Sequence, residues 1–248
     1  MYDKKPSYGT LVNYGHHLAG HVDANYLFNE RSGSRLVDSF PNNLNGINNG
    51  ATWVANGLDF NGSSDWVQLP DISLGETGFD LTYIAIIRPD GLVGNVDIIS
   101  QQGTDQEPNT YIRLQTRGTE LGAFIRNNAA TPITLTGSGL TVGVEYHTAL
   151  TKRGTVWTLY LNGVVDAVDT LVDDFTLDSA AIGSFPDGAT NFFNGVVKNV
   201  VLCNCAWTQE QIVSHMIDPY AMFRHALNPS LFGAFSRVII PRRRIEGY

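Results

Sequence analysis

Charged side chains and cysteine are both scarce in this 248-residue chain, and each shortage narrows its class. Asp, Glu, Lys and Arg make up 16% of it. That is too little for long surface helices, which carry Glu, Lys and Arg on their solvent face. The only cysteines, Cys203 and Cys205, lie two residues apart, so on a strand they point to the same face of one short segment. This geometry disfavours a mutual disulfide and leaves them as small core residues. Nothing then demands an oxidising compartment. No apolar run approaches the ~18 residues of a membrane span. The start, Met1-Tyr2-Asp3-Lys4-Lys5-Pro6, is not followed by the roughly 7–15-residue apolar stretch of a signal peptide. The chain is therefore expected to be made and kept soluble, unless it leaves the cell by another route.

What the chain does have is turn chemistry. Hydrophobic residues make up 43%, enough for a full core, and 25 glycines accompany them. Six Asn-Gly pairs punctuate the sequence. Asn and Gly both tolerate the positive φ that a two-residue type I′ hairpin turn requires. Asn61-Gly62, Asn162-Gly163 and Asn194-Gly195 each follow a short aromatic-bearing run and are read as strand turns. Asn45-Gly46, Asn49-Gly50 and Asn56-Gly57 crowd one stretch and read as loops, around a short strand at 51–54.

Strands are expected at 22–28, and at 58–60 and 66–69 as a hairpin across 61–65. Residues 79–88 are nearly continuously apolar up to Pro89, which predicts a central strand buried on both faces. A short strand follows at 96–100. Residues 111–116 alternate, with Ile112 and Leu114 inward and Arg113 and Gln115 outward, and pair with 120–126 across Arg117-Gly118. A meander occupies 146–151, 156–161 and 164–169, and a last long strand 195–207. One helix is predicted at 209–217, where Thr208 and Gln211 form a capping box. The class is all-β and antiparallel.

The organisation is read as an irregular arm at 1–21, a sandwich at 22–217 and a tail at 218–248. Charge divides the same way. Residues 1–218 carry 11 basic and 23 acidic side chains, a net −12, whereas 219–248 carry five arginines against Glu246, a net +4. An acidic body repels nucleic acid and anionic membrane, so neither is expected as a partner. The tail combines Tyr220, Phe223, Leu227 and Phe235 with Arg242-Arg243-Arg244. Three arginines are a thin nucleic-acid footprint. Tyr220, Phe223, Arg242, Arg243 and Arg244 are read instead as partner-contact residues, the arginine forks pairing with carboxylates of a neighbouring subunit.

The order of these pieces resembles the laminin-G-like domains of the concanavalin A-like lectin/glucanase superfamily. The residues that carry it are Tyr26-Leu27-Phe28-Asn29-Glu30 with Gly33, Leu36 and Asp38; Gly57-Leu58-Asp59-Phe60-Asn61-Gly62 with Asp65-Trp66-Val67; Tyr146-His147-Thr148-Ala149 before Leu159-Tyr160-Leu161-Asn162-Gly163; and Phe193-Asn194-Gly195 before the helix. The resemblance spans roughly 22–217. It implies a two-sheet jelly roll with one concave face. A second resemblance, of Asp218-Pro219-Tyr220-Ala221-Met222-Phe223 to a segment that follows such domains in phage structural proteins, implies a role on a virus particle. A turn packing its aromatics under the sandwich accounts for the same residues equally well.

The superfamily includes glycoside hydrolases, which need two carboxyl groups about 5 Å apart for retention. The Glu-x-Asp-x-(x)-Glu strand that the resemblance would require is absent. Asp166, Asp169, Asp173, Asp174 and Asp178 span a turn without Glu and read as solvated loop carboxylates. No Gly-x-Ser-x-Gly elbow or phosphate loop is present, so catalytic residues are predicted to be none. Asp97, Asp105-Gln106-Glu107 and Asp173-Asp174 offer rim oxygens for calcium but no fixed ligand pattern, so no cofactor or metal ligand is assigned. His16, His17 and His21 lack metal-ligand spacing. Trp53, Trp66, Trp157 and Trp207 could stack on sugars, but aromatics in alternating strands are mostly core.

The expectation is thus a non-enzymatic binding and structural module, displayed on a virion as a decoration, fibre or appendage. The arm and tail would hold it to copies of itself or to shell proteins, and its body would engage surface glycans. The alternatives are an extracellular calcium-assisted lectin and, behind it, a polysaccharide-degrading enzyme.

Overall fold

The computed structural model describes residues 5–72, 79–103, 110–172 and 175–223. In chain order its strands are β1 (Val22–Tyr26), β2 (Arg35–Leu36), β3 (Gly46–Asn49), β4 (Thr52–Val54), β5 (Gly57–Asn61), β6 (Trp66–Leu69), β7 (Leu81–Pro89), β8 (Asn95–Gln102), β9 (Tyr111–Arg117), β10 (Glu120–Arg126), β11 (Pro132–Gly139), β12 (Tyr146–Arg153), β13 (Val156–Leu161), β14 (Val164–Thr170), β15 (Ala180–Ile182) and β16 (Asn194–Cys203). A helix, α1 (Gln209–Ile217), and a 3-10 turn (Ala221–Phe223) follow. The strands form two antiparallel sheets. Sheet A runs β14-β13-β12-β7-β16-β5-β4, with β1 also paired to β16. Sheet B runs β11-β10-β9-β8-β15-β6-β3-β2. This is the all-β jelly-roll sandwich that the sequence predicts.

The main core lies between the sheets. Tyr83, Ala85 and Ile87 of β7, Ile112 and Leu114 of β9, Leu121 and Ile125 of β10, and Trp157 and Leu159 of β13 all belong to it. Each buried large apolar side chain is worth roughly 1.5–3 kcal/mol relative to exposure. A second cluster seals the other face of sheet A. Ile84, Ala149, Tyr160, Val201 and Cys203 meet Val12 and Leu18 of the arm, Trp207 and Ile212 at α1, and Tyr220, Met222 and Phe223. The centre of sheet A is therefore buried on both faces, which is why β7 reads as an unbroken apolar run. Lys5 fastens the arm through its ammonium, which donates to the carbonyls of Leu27 (2.7 Å), Asn56 (2.7 Å) and Lys198 (2.6 Å).

Local chemistry explains the elements. Asn162 and Gly163 have φ of +49° and +77°, so the β13–β14 turn has the positive φ pair expected of type I′. Thr208 caps α1: its hydroxyl accepts from Gln211 N (3.4 Å) and its own N–H donates to Gln211 Oε1 (2.9 Å). The β9–β10 hairpin turns at Gly118, φ +63°, as predicted. Cys203 is buried and both cysteines are free.

Two expected turns are corrected. β5 and β6 belong to different sheets, so 61–65 is a crossover and not a hairpin. Asn61 builds it: its Oδ1 accepts from the N–H groups of Ser63 (2.8 Å), Ser64 (2.9 Å) and Asp65 (3.3 Å). Asn194-Gly195 lies inside β16 and turns nothing. Gly195 pairs with both Phe60 and Pro89 at φ +142°, where a Cβ would lie 2.3 Å from the Arg88 carbonyl oxygen. Its glycine serves close strand approach. The last strand also stops at Cys203, short of the expected 207.

Candidate functional site

The arm, α1 and the 220–223 segment cover the centre of the outer face of sheet A and leave a cavity of about 320 Å3 at its β12–β13 side, lined by Thr151, Arg153, Thr158 and Tyr160, none of which keeps a buried unpartnered polar atom; a side chain with two such atoms lies on sheet B. Strand alternation sends Arg113 and Gln115 of β9 outward, as predicted, while Ile112 and Leu114 enter the core. Yet Gln115 is only 1% exposed. Its neighbours across the sheet explain this. Register places Gln115 beside Gly122 and Asp97, Arg113 beside Phe124, and Phe124 beside Thr134. A Cβ on Gly122 would lie 2.4 Å from Cδ of Arg117, so the missing side chain lets the Arg117 stem lie across this strand.

The loop at 183–193 buttresses Arg113. It is held to β8 by Gly183 N donating to Ile98 O (3.0 Å), Asp97 N donating to Asn191 O (2.8 Å) and the Ser100 hydroxyl donating to Ser184 O (2.6 Å). This brings Phe185 and Asn191 onto Arg113. The Arg113 guanidinium lies 5.5 Å from the Phe185 ring centre and 5.9 Å from that of Phe124. Its Nε donates to Asp97 Oδ1 at 2.8 Å. The Asn191 amide, oriented to suit its neighbours, accepts from Arg113 Nη2 (2.8 Å) and donates to Asn95 O (3.1 Å). Burial pushes the Asp97 carboxyl up to about 6, against the pull of Arg113, so it is largely ionised at neutral pH.

Beside this network lies a cavity of about 220 Å3 lined by Asn95, Arg113, Gln115, Arg117, Phe124 and Thr134. Both amide atoms of Gln115 are buried and neither meets a hydrogen-bond partner among the described residues. A buried amide left unbonded costs about 1–3 kcal/mol, so its presence here calls for explanation. The lining offers hydroxyl-matching amides, two guanidinium groups and an aromatic ring, which together suit a polyol ring. No carboxylate lines it, so the paired acid and base of glycoside hydrolysis have no counterpart there.

The residues singled out from sequence lie elsewhere. Asp97, a calcium candidate, is ion-paired to Arg113 and does not line the cavity. Asp105 to Glu107, Asp173 and Asp174 lie outside the described residues, as do Arg242, Arg243 and Arg244. Among the described residues no three His, Cys, Asp or Glu side chains converge as a metal set. His16 and His17 stack on each other at 4.5 Å, and His16 Nδ1 accepts from Leu18 N at 3.3 Å. Asp166 accepts from Ser138 N (2.7 Å) and its hydroxyl (2.5 Å), tying β14 to β11. Tyr220 and Phe223 are buried within this chain's own second cluster. Trp157 and Trp207 are core, and the Trp53 indole donates to Gly33 O at 2.8 Å. Among the described residues no helix is long and apolar enough to cross a membrane.

A larger cavity, about 540 Å3, lies between the arm and the loop at 37–41, where Tyr8, Leu11, Tyr14 and Phe40 line it. Its buried carboxylate, Asp38, is already satisfied by the N–H groups of Asn25 (3.0 Å), Phe40 (2.9 Å) and Leu44 (3.2 Å). It presents apolar surface without convergent free polar groups, so the smaller cavity is the better candidate despite its size.

Sequence reading placed Arg113 and Gln115 on the outward face but did not single them out. An outward-pointing Gln and Arg on adjacent positions of one face, opposite a strand Gly, was the available signal. The contribution of Phe185 and Asn191 carried none, because it depends on how the chain returns after β15.

Comparison with known proteins fits this architecture. Domain 4 of AbnA, a GH43 extracellular arabinanase from Geobacillus stearothermophilus in complex with arabinotriose, is 19% identical with a TM-score of 0.63, over 78% of this chain and 97% of that one. Trypanosoma rangeli sialidase, in complex with sialic acid, gives 19% and 0.64 over 82% of this chain but 33% of its own. The botulinum neurotoxin serotype G binding domain gives 11% and 0.60 over 79% of this chain and 50% of its own. At such identities the likeness is one of fold. No curated protein matches the sequence. Residues 61–213, more than half of the chain, match the laminin G family described as the concanavalin A-like lectin/glucanases superfamily, and to that superfamily the chain belongs.

Proposed function

We propose that this domain is a non-enzymatic carbohydrate-binding module whose ligand enters the cavity on the outer face of sheet B. The observation that carries the reading is the buried, unpartnered amide of Gln115 at the floor of that cavity. A sugar offers paired donor and acceptor hydroxyls at hydrogen-bond spacing, which is what such an amide lacks. Phe124 supplies an apolar face for the ring's C–H groups. The absence of a carboxylate from the lining favours binding over hydrolysis. Support also comes from the arabinanase domain, of the same fold, described in complex with arabinotriose.

The test is a glycan array probed in calcium and again in chelator, with reducing-sugar release measured on a polysaccharide panel. Binding without sugar release is the expected result. Release of reducing sugar would replace the module with an enzyme, and loss of binding in chelator would add calcium as a cofactor. A setting on a virus particle is a further reading, favoured by the net +4 of 219–248 against a net −12 body. Deleting 236–248 should then abolish particle attachment while leaving the sandwich folded. Normal particle occupancy by the truncated protein would refute it.

A further inference from the structure

Two guanidinium groups line the cavity, and they differ in one respect. Arg113 is spoken for. Its charge is balanced by Asp97 at 2.8 Å, its Nη2 is taken by Asn191, and two rings flank its plane. Arg117 has no ion pair and no side-chain hydrogen bond within the described residues. The nearest acidic candidate in register is Glu120, opposite it on β10, and that side chain is exposed and makes no ion pair with it. The Arg117 side chain is nevertheless half-buried, because its stem crosses the bare backbone of Gly122. The cavity thus holds one uncompensated positive charge next to one unsatisfied amide, in a chain whose body is otherwise strongly acidic.

A neutral polyol would satisfy Gln115 and leave Arg117 unanswered. A carboxylate would answer it, since a guanidinium fork meets carboxylate geometry with two parallel, charge-assisted hydrogen bonds. We infer that the ligand is an acidic saccharide, its carboxylate held by Arg117 while Gln115 bonds an adjacent ring hydroxyl and Phe124 faces the ring. The inference rests on the carbohydrate-binding reading and narrows it to sugar acids. Gly122 is then a specificity residue by omission, since a side chain there would displace Arg117 from the cavity mouth.

The probe is a set of oligosaccharides carrying uronic acids or other sugar acids, each beside its methyl ester, which removes the charge and keeps every hydroxyl. Titration calorimetry on the full chain is the readout. At least one acid should bind roughly ten- to a hundredfold tighter than its ester, the range a charge-assisted pair supplies. Arg117→Gln should lower the acid to the level of the ester without shifting the unfolding midpoint. Gln115→Leu should weaken acid and ester alike. Equal binding of acid and ester, binding confined to neutral or sulfated sugars, or a preference that survives Arg117→Gln would each overturn the inference and leave carbohydrate binding standing. Failure of every saccharide, charged or not, would overturn both.

Discussion

Replacing His147 and His215 together with glutamine should flatten part of the acid sensitivity of this fold. The two imidazoles meet where α1 docks on β12: His147 Nε2 and His215 Nδ1 lie 2.9 Å apart, and the Trp207 ring lies 5.8 Å from that of His215. Both rings are buried. Burial holds His147 down at about 4. Burial, and then the neighbouring His147, hold His215 well below the usual imidazole value. The folded protein therefore binds fewer protons than the unfolded chain between roughly pH 6.5 and 4. Stability from this source is complete above the unfolded imidazole pKa and is lost as pH falls towards the folded one. From about pH 7 to 5, His147 alone accounts for a loss of ~2 kcal/mol, and His215 adds to it with the same sign. Asp23 and Asp97 act oppositely. Burial raises each to about 6, so folding gains from their protonation as pH falls through that value. A single pH curve would mix the two, but wild type and double variant share both aspartates. Urea unfolding of each at pH 7 and pH 5 isolates the histidines. Between the two conditions wild type should lose at least ~2 kcal/mol more than the variant. Parallel losses would refute the assignment of a neutral, proton-excluding histidine pair.

Tyr83→Phe tests the polar tie inside the main core. The Tyr83 hydroxyl donates to Gln101 Oε1, whose amide nitrogen donates to Ile72 O, so the change strands a buried acceptor and should cost about 1–3 kcal/mol in urea unfolding; a change within error would mean the acceptor finds another donor. Deleting residues 1–21 removes the burial of Val12, Leu18 and Ala19 and the Lys5 clasp, and uncovers Ile84 and Tyr160. At roughly 1.5–3 kcal/mol per large apolar side chain this approaches a large share of a domain's stability. A much lower midpoint with increased binding of an apolar dye is expected, and an unchanged midpoint would make the arm a passive extension.

What was legible in the sequence was what short-range chemistry decides. The β9–β10 hairpin, the β12–β14 meander and α1 follow from alternation, from positive-φ turn residues and from one capping box. Asn61-Gly62 misled because its local signal, an Asn side chain gathering N–H groups, serves a hairpin and a crossover equally. Which one forms depends on whether β6 finds β5 or β3, a long-range choice. Gly195 misled for a similar reason, since a strand glycine required by a neighbouring backbone looks like a turn glycine. β2, β3 and β15 are too short and too mixed to carry a period of their own. The outward direction of Gln115 was legible, but its burial was not. That burial comes from Phe124 across the sheet and from Arg117 two residues along the same strand, whose stem crosses Gly122.

The two faces of the sandwich have been settled in opposite ways. Sheet A spends its outer face on the arm, α1 and the 220–223 segment, all apolar and mutually packed, which leaves Cys203, Ile84 and Val201 no access to solvent. Sheet B spends its outer face on charge and amide groups, which a purely structural face would either satisfy or leave in water. Most of it is satisfied: Asp97 with Arg113, Arg113 with Asn191, Ser100 with Ser184. Gln115 and Arg117, which line one cavity, are not, and the second Asp97 oxygen also lacks a partner. Other buried side chains, among them Asn25, Asn199 and Trp157, also keep one polar atom without a partner, but Gln115 keeps two. The meeting of Gln115 and Arg117 in one cavity on this face is what a ligand that supplies the missing partners would leave behind.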